Sequence, residues 1–432
     1  SESSLEIFKD HLRCWTIGHH IAQTAISDLL KIIKSDLKLN LLPSDARTLF
    51  KTKNINNKIV NLSPGKYYHF GLKSKLLLKL IQNDFKGNEV NISVNIDGLP
   101  LTKSSGSQFW PILIKIDELE KLKPFPIGVY HGETKPNNSN IFLLRFVEEM
   151  KILQNEGLCL YDKIVKIRIS KILCDAPAKS FVLCIKNFNS YASCPKCYAE
   201  GSFQKNRMTF PELNSKLRTN EEFYSQSDED FHKDTSILCD LEIDFITSVP
   251  LDYMHLVLLG IMKRLLGFWL KGNKEVRLFK EDIDAINKRI KLIYKSTPRE
   301  FSRKPRLITE YDKWKAVELR TFLLHYGPWL MKPFLRNQYF LHFLSLHCAI
   351  RILVCQDLLE KYIDYANELL MYFVNEFGNL YGNEFVNHNV HNLIHLTLDV
   401  KTFGSLDKFS CFPFENYMHT IKMMIKTSNK PI

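Results

Sequence analysis

The chain has 432 residues, 45% of them hydrophobic, and carries 59 Lys and Arg against 47 Asp and Glu, a formal charge of +12. So much apolar sequence excludes general disorder and allows two or three domains with a large core. The positive excess favours a polyanionic partner, because basic surfaces release counterions from phosphates, although scattered surface lysines would give the same total. The ten cysteines follow no regular framework. Cys174, Cys184 and Cys355 sit in apolar runs, where cysteine acts as a small hydrophobe, and the pattern suggests a reducing compartment. The opening SESSLEIFKDH does not read as a signal peptide, and both ends are expected to continue in a longer chain. No uncharged run reaches membrane-spanning length; the best, 251–270, is broken by Lys263 and Arg264.

Residues 1–50 read as helices, with Trp15, Ile17, Ile21, Ala25 and Leu29 near helical spacing and Ser44 or Asp45 capping a second start. Residues 51–87 are lysine-rich with Tyr67, Tyr68 and Phe70 interleaved, and read as linker and helix. A helical N-terminal segment is therefore expected over 1–87, serving DNA binding or dimerisation. The period then changes. EVNISVNIDGLP alternates through Val90, Ile92, Val94 and Ile96 and stops at the turn signal Asp97-Gly98. SQFWPILIKID and FPIGVYHG read as two further strands. SNIFLLRFVEEMKILQNEG reads as a helix capped by Ser139 or Asn140 and stopped by Gly157. KIVKIRISKILCDAPA is a fourth strand ending at Asp175, and AKSFVLCIKNF a short helix. Beyond residue 200 the strand signal nearly disappears, and periodic runs at 251–271, 280–296, 311–332, 338–360 and 362–380 predict a helical block. Pro413 is placed to open a last helix.

Asp97 and Asp175 each follow a strand, at the edge where ligands gather in open sheets. Neighbouring strands ending in aspartate can hold a divalent cation through hard oxygen ligands. Aspartate is also common turn chemistry. The element order is that of an RNase H-like fold, which needs one more acid from a late helix. Glu415 in FPFENY is the candidate, though an acid there also suits the helix dipole. SCPKC spaces Cys194 and Cys197 as half of a zinc site. A redox reading of CPKC is disfavoured, because the motif follows a polar loop deep in the chain. VNHNVHNLIHL sets His388, His391 and His395 three and four residues apart on one helix, so neighbours share a face.

Four blocks, NIDGLPLTKSSGSQFWPILIKI, CDAPAKSFVLCIKNFNSYASCPKCYAEG, PLDYMHLVLLGIMKRLL and NVHNLIHLTLDVKTFGSLDKFSCFPFENY, together resemble the transposases of the CACTA/Mirage/Chapaev group. These are cut-and-paste DDE enzymes, distantly similar to Transib transposases and the catalytic subunit of the V(D)J recombinase. The likeness runs over residues 10–432. It implies an α/β fold: an RNase H-like catalytic core interrupted by a large all-α insertion, after the helical N-terminal segment. The expected divisions are 1–87, the first part of the core at 88–200, the insertion at 201–386, and the last part of the core at 387–432. The catalytic acids fall on Asp97, Asp175 and Glu415, which would hold two Mg²⁺ or Mn²⁺ ions. Asp252 in PLDYMH rivals Asp175 for the second place. The resemblance also implies one structural zinc on Cys194, Cys197, His391 and His395, with His388 spare, closing the insertion onto the core.

The basic run 287–306 supplies Lys295, Arg299, Arg303, Lys304 and Arg306 as phosphate contacts, and Lys103, Lys171 and Lys179 lie near the proposed catalytic edge. Trp314 is a candidate to stack on an unpaired base, as in related hairpin-forming enzymes, although a Trp on a periodic helix is ordinarily core. The resemblance implies a nuclear DNA transposase acting on transposon ends and target duplex, expected as a homodimer, with no membrane and no small-molecule substrate. A domesticated DNA-binding protein without cleavage activity, or a Mg²⁺-dependent nuclease without strand transfer, are the alternatives.

Overall fold

The structure, a computed structural model, describes residues 5, 8–9, 12–13, 15–16, 21–49, 59–102, 106–161 and 163–425. Two compact units divide the chain, Ser1–Ile59 and Val60–Ile432. In the first, α1 (Gln23–Asp36) and α2 (Ala46–Leu49) bury Ile26 and Leu30 against Leu42, Ala46 and Leu49. The Ser27 hydroxyl accepts from the Ala46 amide and ties the two helices together.

The second unit is built on a mixed sheet whose main path is β1-β2-β6-β5-β3-β8-β7. Its strands are β1 (Val60–Leu62), β2 (Gly65–His69), β3 (Glu89–Ile96), β4 (Leu99–Pro100), β5 (Gln108–Ile116), β6 (Phe125–Gly132), β7 (Leu158–Leu160) and β8 (Lys163–Leu173). Neighbours pair antiparallel except β3 and β8, which run parallel at the centre with Asn95 opposite Leu173. A parallel pair needs a crossover, and α4 (Ser139–Glu156) supplies it. Asn138 caps that helix, accepting from the Ile141 amide, so the cap lies one residue before the expected positions. Gly157 ends it at φ +73, a conformation that favours glycine. α3 (Leu72–Gln82) packs beside it.

The hairpin β1–β2 corrects the expectation of an all-helical segment over 1–87. Alternation within GKYYH turns Tyr67 inward, against Phe142 of α4, and pairs β2 with β6. The surrounding lysines hid a short amphipathic strand whose outward face they cover.

The two faces of β5 meet different cores. Ile112 and Ile114 join Phe142 and Phe146 under α4, while Leu113 joins Leu173 and the helical block. Because both faces are covered, β3 and β5 are almost continuously buried and carry runs of Ile, Leu and Val. α5 (Ala176–Val182) follows β8.

The region 201–386 is not purely helical. β9 (Ser202–Gln204) and β10 (Arg207–Thr209) form a hairpin, and the chain to residue 253 is mainly irregular apart from α6 (Asn220–Ser225) and a 3₁₀ turn. The hairpin docks on 383–386, where the Thr209 hydroxyl bonds the Asn383 and Val386 carbonyls. Helices then dominate: a π-helical segment Met254–Met262 continuing into α7 (Lys263–Lys271), then α8 (Lys280–Ser296), α9 (Ala316–Thr321), α10 (Gly327–Met331), α11 (Asn337–Val354) and α12 (Gln356–Tyr381). The break between the last two falls at extended Cys355 rather than near residue 361. The chain returns to the sheet through α13 (His388–Asn392), α14 (Leu396–Phe403) and α15 (Phe412–Met424). Among the described residues no helix is long and apolar enough to cross a membrane.

Candidate metal centres

The parallel register of β3 and β8 brings Asp97 and Asp175 to one edge of the sheet, each just past its strand. Both carry out the local tasks that their sequence positions suggest. Asp97 Oδ1 accepts the Gly98 amide at 2.7 Å, and Asp175 Oδ1 caps α5 through the Ala178 amide at 2.7 Å. One oxygen of each is thus pinned, which fixes the carboxylate while leaving the other oxygen available. Asp97, Asp175 and His255 each offer a ligand atom within 4.8 Å of the others, so this group could hold a metal ion. Burial, reinforced by Asp175 and Glu415, pushes the Asp97 carboxyl up to about 8. The crowding of acids in a half-buried pocket is what a bound cation would relieve.

Glu415 lies in the first turn of α15, behind Pro413. It is not in the tight group; its Oε1 lies 3.9 Å from His255 Nε2. Burial and the nearby Asp252 and Asp175 raise its pKa, against the pull of His255. The start of α15 is held from two sides. Asn95 of β3 reaches the Leu173 carbonyl and the Cys411 sulfur, and Asp252 Oδ1 accepts the Cys411 amide at 2.8 Å.

Asp252, the rival for the second catalytic place, is buried and fully committed. Its other oxygen accepts both the amide and Nδ1 of His255, at 2.9 and 2.7 Å. Asp252 therefore positions two neighbours, the His255 ring and the helix bearing Glu415. Burial alone would lower the His255 pKa, but the bond to Asp252 and the charges of Asp252, Asp97 and Asp175 raise it to about 9. The carboxylates thus favour the protonated ring, and a cation held by Asp97 and Asp175 would remove that support and free Nε2 as a ligand. Sequence reasoning assigned His255 no role; its only signal was the i,i+3 spacing of Asp and His in LDYMH. It sits in a π-helical turn, a distortion often found at functional sites.

A second group, Cys194, Cys197, His391 and His395, is buried throughout and could also hold a metal ion. The Cys194 and Cys197 sulfurs are 3.5 Å apart, and Cys197 Sγ lies 3.3 Å from His391 Nε2. A zinc tetrahedron with ~2.3 Å sulfur and ~2.05 Å nitrogen bonds would have edges of about 3.8 and 3.6 Å, so the donors need little movement. Among the described residues His395 Nε2 lacks a hydrogen-bond partner although buried, an exception among buried polar atoms that calls for an explanation. The histidines do not share one regular helix: a 3₁₀ turn at Leu393–His395 separates His391 in α13 from α14. His388 lies outside the group; burial holds its pKa down at about 3.

The knuckle itself is braced. Arg218 donates to the Cys194 carbonyl at 3.0 Å and to Asp228 at 2.7 Å, and its guanidinium lies over the Phe231 and Tyr198 rings. Lys196, between the cysteines, pairs with buried Asp399 of α14 at 2.7 Å. No family model matches the sequence, and no curated protein matches it.

The remaining predicted contacts divide. Lys295, Arg299, Arg303 and Lys304 are exposed, beyond or in the last turn of α8, with Lys304 over the Tyr294 ring. Arg306 is committed to Glu318 through two bonds of 2.7 and 2.5 Å. Lys179 cannot contact DNA: it is buried, donates to the Val249 and Pro250 carbonyls, and burial lowers its pKa to about 8. Lys171 is likewise occupied by Asp117 at 2.7 Å. Trp314 is only 2% exposed, bonded to the Leu307 carbonyl and packed near Phe322, so it is a core residue and not a stacking platform. Lys103 lies outside the described residues.

Proposed function

We propose that this chain is the catalytic region of a DDE-type DNA transposase, with an RNase H-like core, a helical insertion and a zinc clamp. The observation that carries the reading is the convergence of Asp97, Asp175 and Glu415, from two central parallel strands and a distant helix, in one electrostatically strained pocket. The strand order β6-β5-β3-β8, with β3 and β8 parallel, is also that of an RNase H-like sheet. Asp97, Asp175 and Glu415 would hold two divalent ions, Mg²⁺ or Mn²⁺, for which oxygen ligands are apt. Such ions supply an activated water and a stabilised leaving oxygen for in-line displacement at phosphorus. The chain's own groups do the positioning. The Gly98 and Ala178 amides fix the two aspartates, and Asp252 fixes both His255 and the start of α15. His255 Nε2 is available between the acids, as a metal ligand when neutral or to hydrogen-bond a phosphate oxygen when protonated. Cys194, Cys197, His391 and His395 match zinc in number, type and spacing, and would join the core to the returning chain.

The test is cleavage of supercoiled and element-end DNA by purified protein with Mg²⁺ or Mn²⁺. Asp97→Asn, Asp175→Asn and Glu415→Gln are each expected to reduce cleavage to background while duplex binding survives. Binding without cleavage by the wild-type protein would instead favour a domesticated DNA-binding protein. Full activity of Asp175→Asn would overturn the assignment of the second acid.

A further inference from the structure

The segment LGIMKRLLGFWLKG (259–272) has two unlike faces. Ile261, Met262, Leu265, Leu266 and Trp269 are fully buried in the helical core. The opposite stripe repeats every four residues: Leu259-Gly260, Lys263-Arg264, Gly267-Phe268, Lys271-Gly272. This stripe floors an open groove that is separate from the carboxylates and is walled by Arg207, Tyr311, Tyr381 and Phe385. Four cations line it, against the single carboxylate of Asp312.

The cations lie close together. Arg264 donates to the Phe385 backbone carbonyl at 3.3 Å, and Arg207 stacks on the Phe385 ring at 4.3 Å. Burial and the neighbouring Arg207 both hold the Arg264 pKa below its ordinary value. Lys263 and Lys271 both reach Asp312, through its carbonyl at 2.8 Å and its carboxylate at 2.6 Å. Arg207 on the Phe385 ring and Arg264 on that residue's carbonyl are neighbouring guanidiniums, neither bonded to a carboxylate among the described residues, and an anion placed between them would be stabilised. Gly267 keeps the floor low: a Cβ there would meet Tyr311, its hydroxyl at 3.4 Å and its ring beyond.

The groove is elongated rather than cupped. Eight residues of helix place Lys263 and Lys271 about 12 Å apart along the axis. Duplex DNA carries one phosphate per nucleotide on each strand, so a row of this length meets more than one of them. We propose that the groove binds the sugar–phosphate backbone of double-stranded DNA, away from the site of chemistry. The choice of DNA as the polymer rests on the function proposed above; the polyanion itself follows from the groove.

The test measures binding of a fluorescent duplex of arbitrary sequence in magnesium-free buffer across a range of salt concentrations. Each lost phosphate contact lowers the slope of log affinity against log salt by about 0.9, so Arg207→Gln/Lys271→Gln should lower it by about 2. Both side chains are exposed, and thermal unfolding should not change. Gly267→Glu places a negative charge on the floor and improves helix propensity, so weaker DNA binding with an undiminished melting temperature is expected. An unchanged slope and affinity in both variants would overturn the proposal, as would a loss confined to double-stranded RNA. Failure here while wild type still cleaves DNA would remove the groove alone. A lowered slope in a protein that never cleaves would remove the transposase reading and leave the groove.

Discussion

Lys196, the third residue of the CPKC knuckle, is expected to be as important to stability as the cysteines that flank it. Its side chain is 4% exposed, and the ammonium donates to Asp399 Oδ1 at 2.7 Å and to the Ile246 carbonyl at 2.6 Å. The other Asp399 oxygen accepts the Leu251 amide at 2.7 Å. Lys196→Met would leave Asp399 charged and buried with one backbone donor, and the Ile246 carbonyl without its lysine. Breaking a buried pair from one side costs about 3–5 kcal/mol. Asp399→Leu should cost a similar amount, because it strands the ammonium and the Leu251 amide. Lys196→Met/Asp399→Leu removes both charges and leaves only two backbone groups to resatisfy, at about 1–3 kcal/mol each. The double variant should therefore be far more stable than the summed single effects, with a coupling energy of about 3 kcal/mol. Urea denaturation at neutral pH, with zinc added in excess, measures all three. Strict additivity, or a Lys196→Met cost under about 1 kcal/mol, would refute the claim that this pair is a dry tie between knuckle and α14.

Other consequences concern separate parts of the molecule. Cys197→Ser should lose one bound metal equivalent per chain by elemental analysis and unfold at lower temperature, because it removes one donor of the four-residue group and its contact with His391. Trp314→Ala should cost about 3–5 kcal/mol in chemical denaturation, the range for an emptied aromatic core site, whereas Trp314→Phe should cost less. His342 stacks on Phe373 at 4.0 Å and bonds its carbonyl, and burial lowers its pKa to about 4. Unfolding restores a pKa near 6.5, so below that pH the unfolded chain takes up a proton that the folded chain refuses. Stability should thus be unaffected by this group above about pH 6.5 and fall by about 3 kcal/mol on going to pH 4. His342→Gln, which keeps a donor, should flatten that limb; an identical acid profile would exclude His342 as its source.

Periodicity alone was enough to locate β3, β5, β6, α4 and β8, because each buries one or both faces for much of its length. It also placed Pro413 at the start of the last helix and raised Asp97, Asp175 and Glu415 as acids at element ends. The hairpins β1–β2 and β9–β10 escaped it, since three to five residues amid lysines and glycines carry too little pattern. The break at Cys355 escaped it too, because the flanking helices share one apolar stripe. What only the tertiary structure decided is partnership across long separations. The spacing of CPKC offered two metal ligands, but the meeting with His391 and His395 depends on how the helical block folds back. Lys179 looked available until packing enclosed it, whereas Trp314 is the core residue that a Trp on a periodic helix ordinarily is. Asp252 and His255 show the same limit. The sequence offers an acid and a histidine one turn apart, while the fold alone turns the ring toward Asp97 and Asp175 and ties the acid to the helix of Glu415. Local pattern reports which face a residue favours; it carries no record of which distant face it will meet.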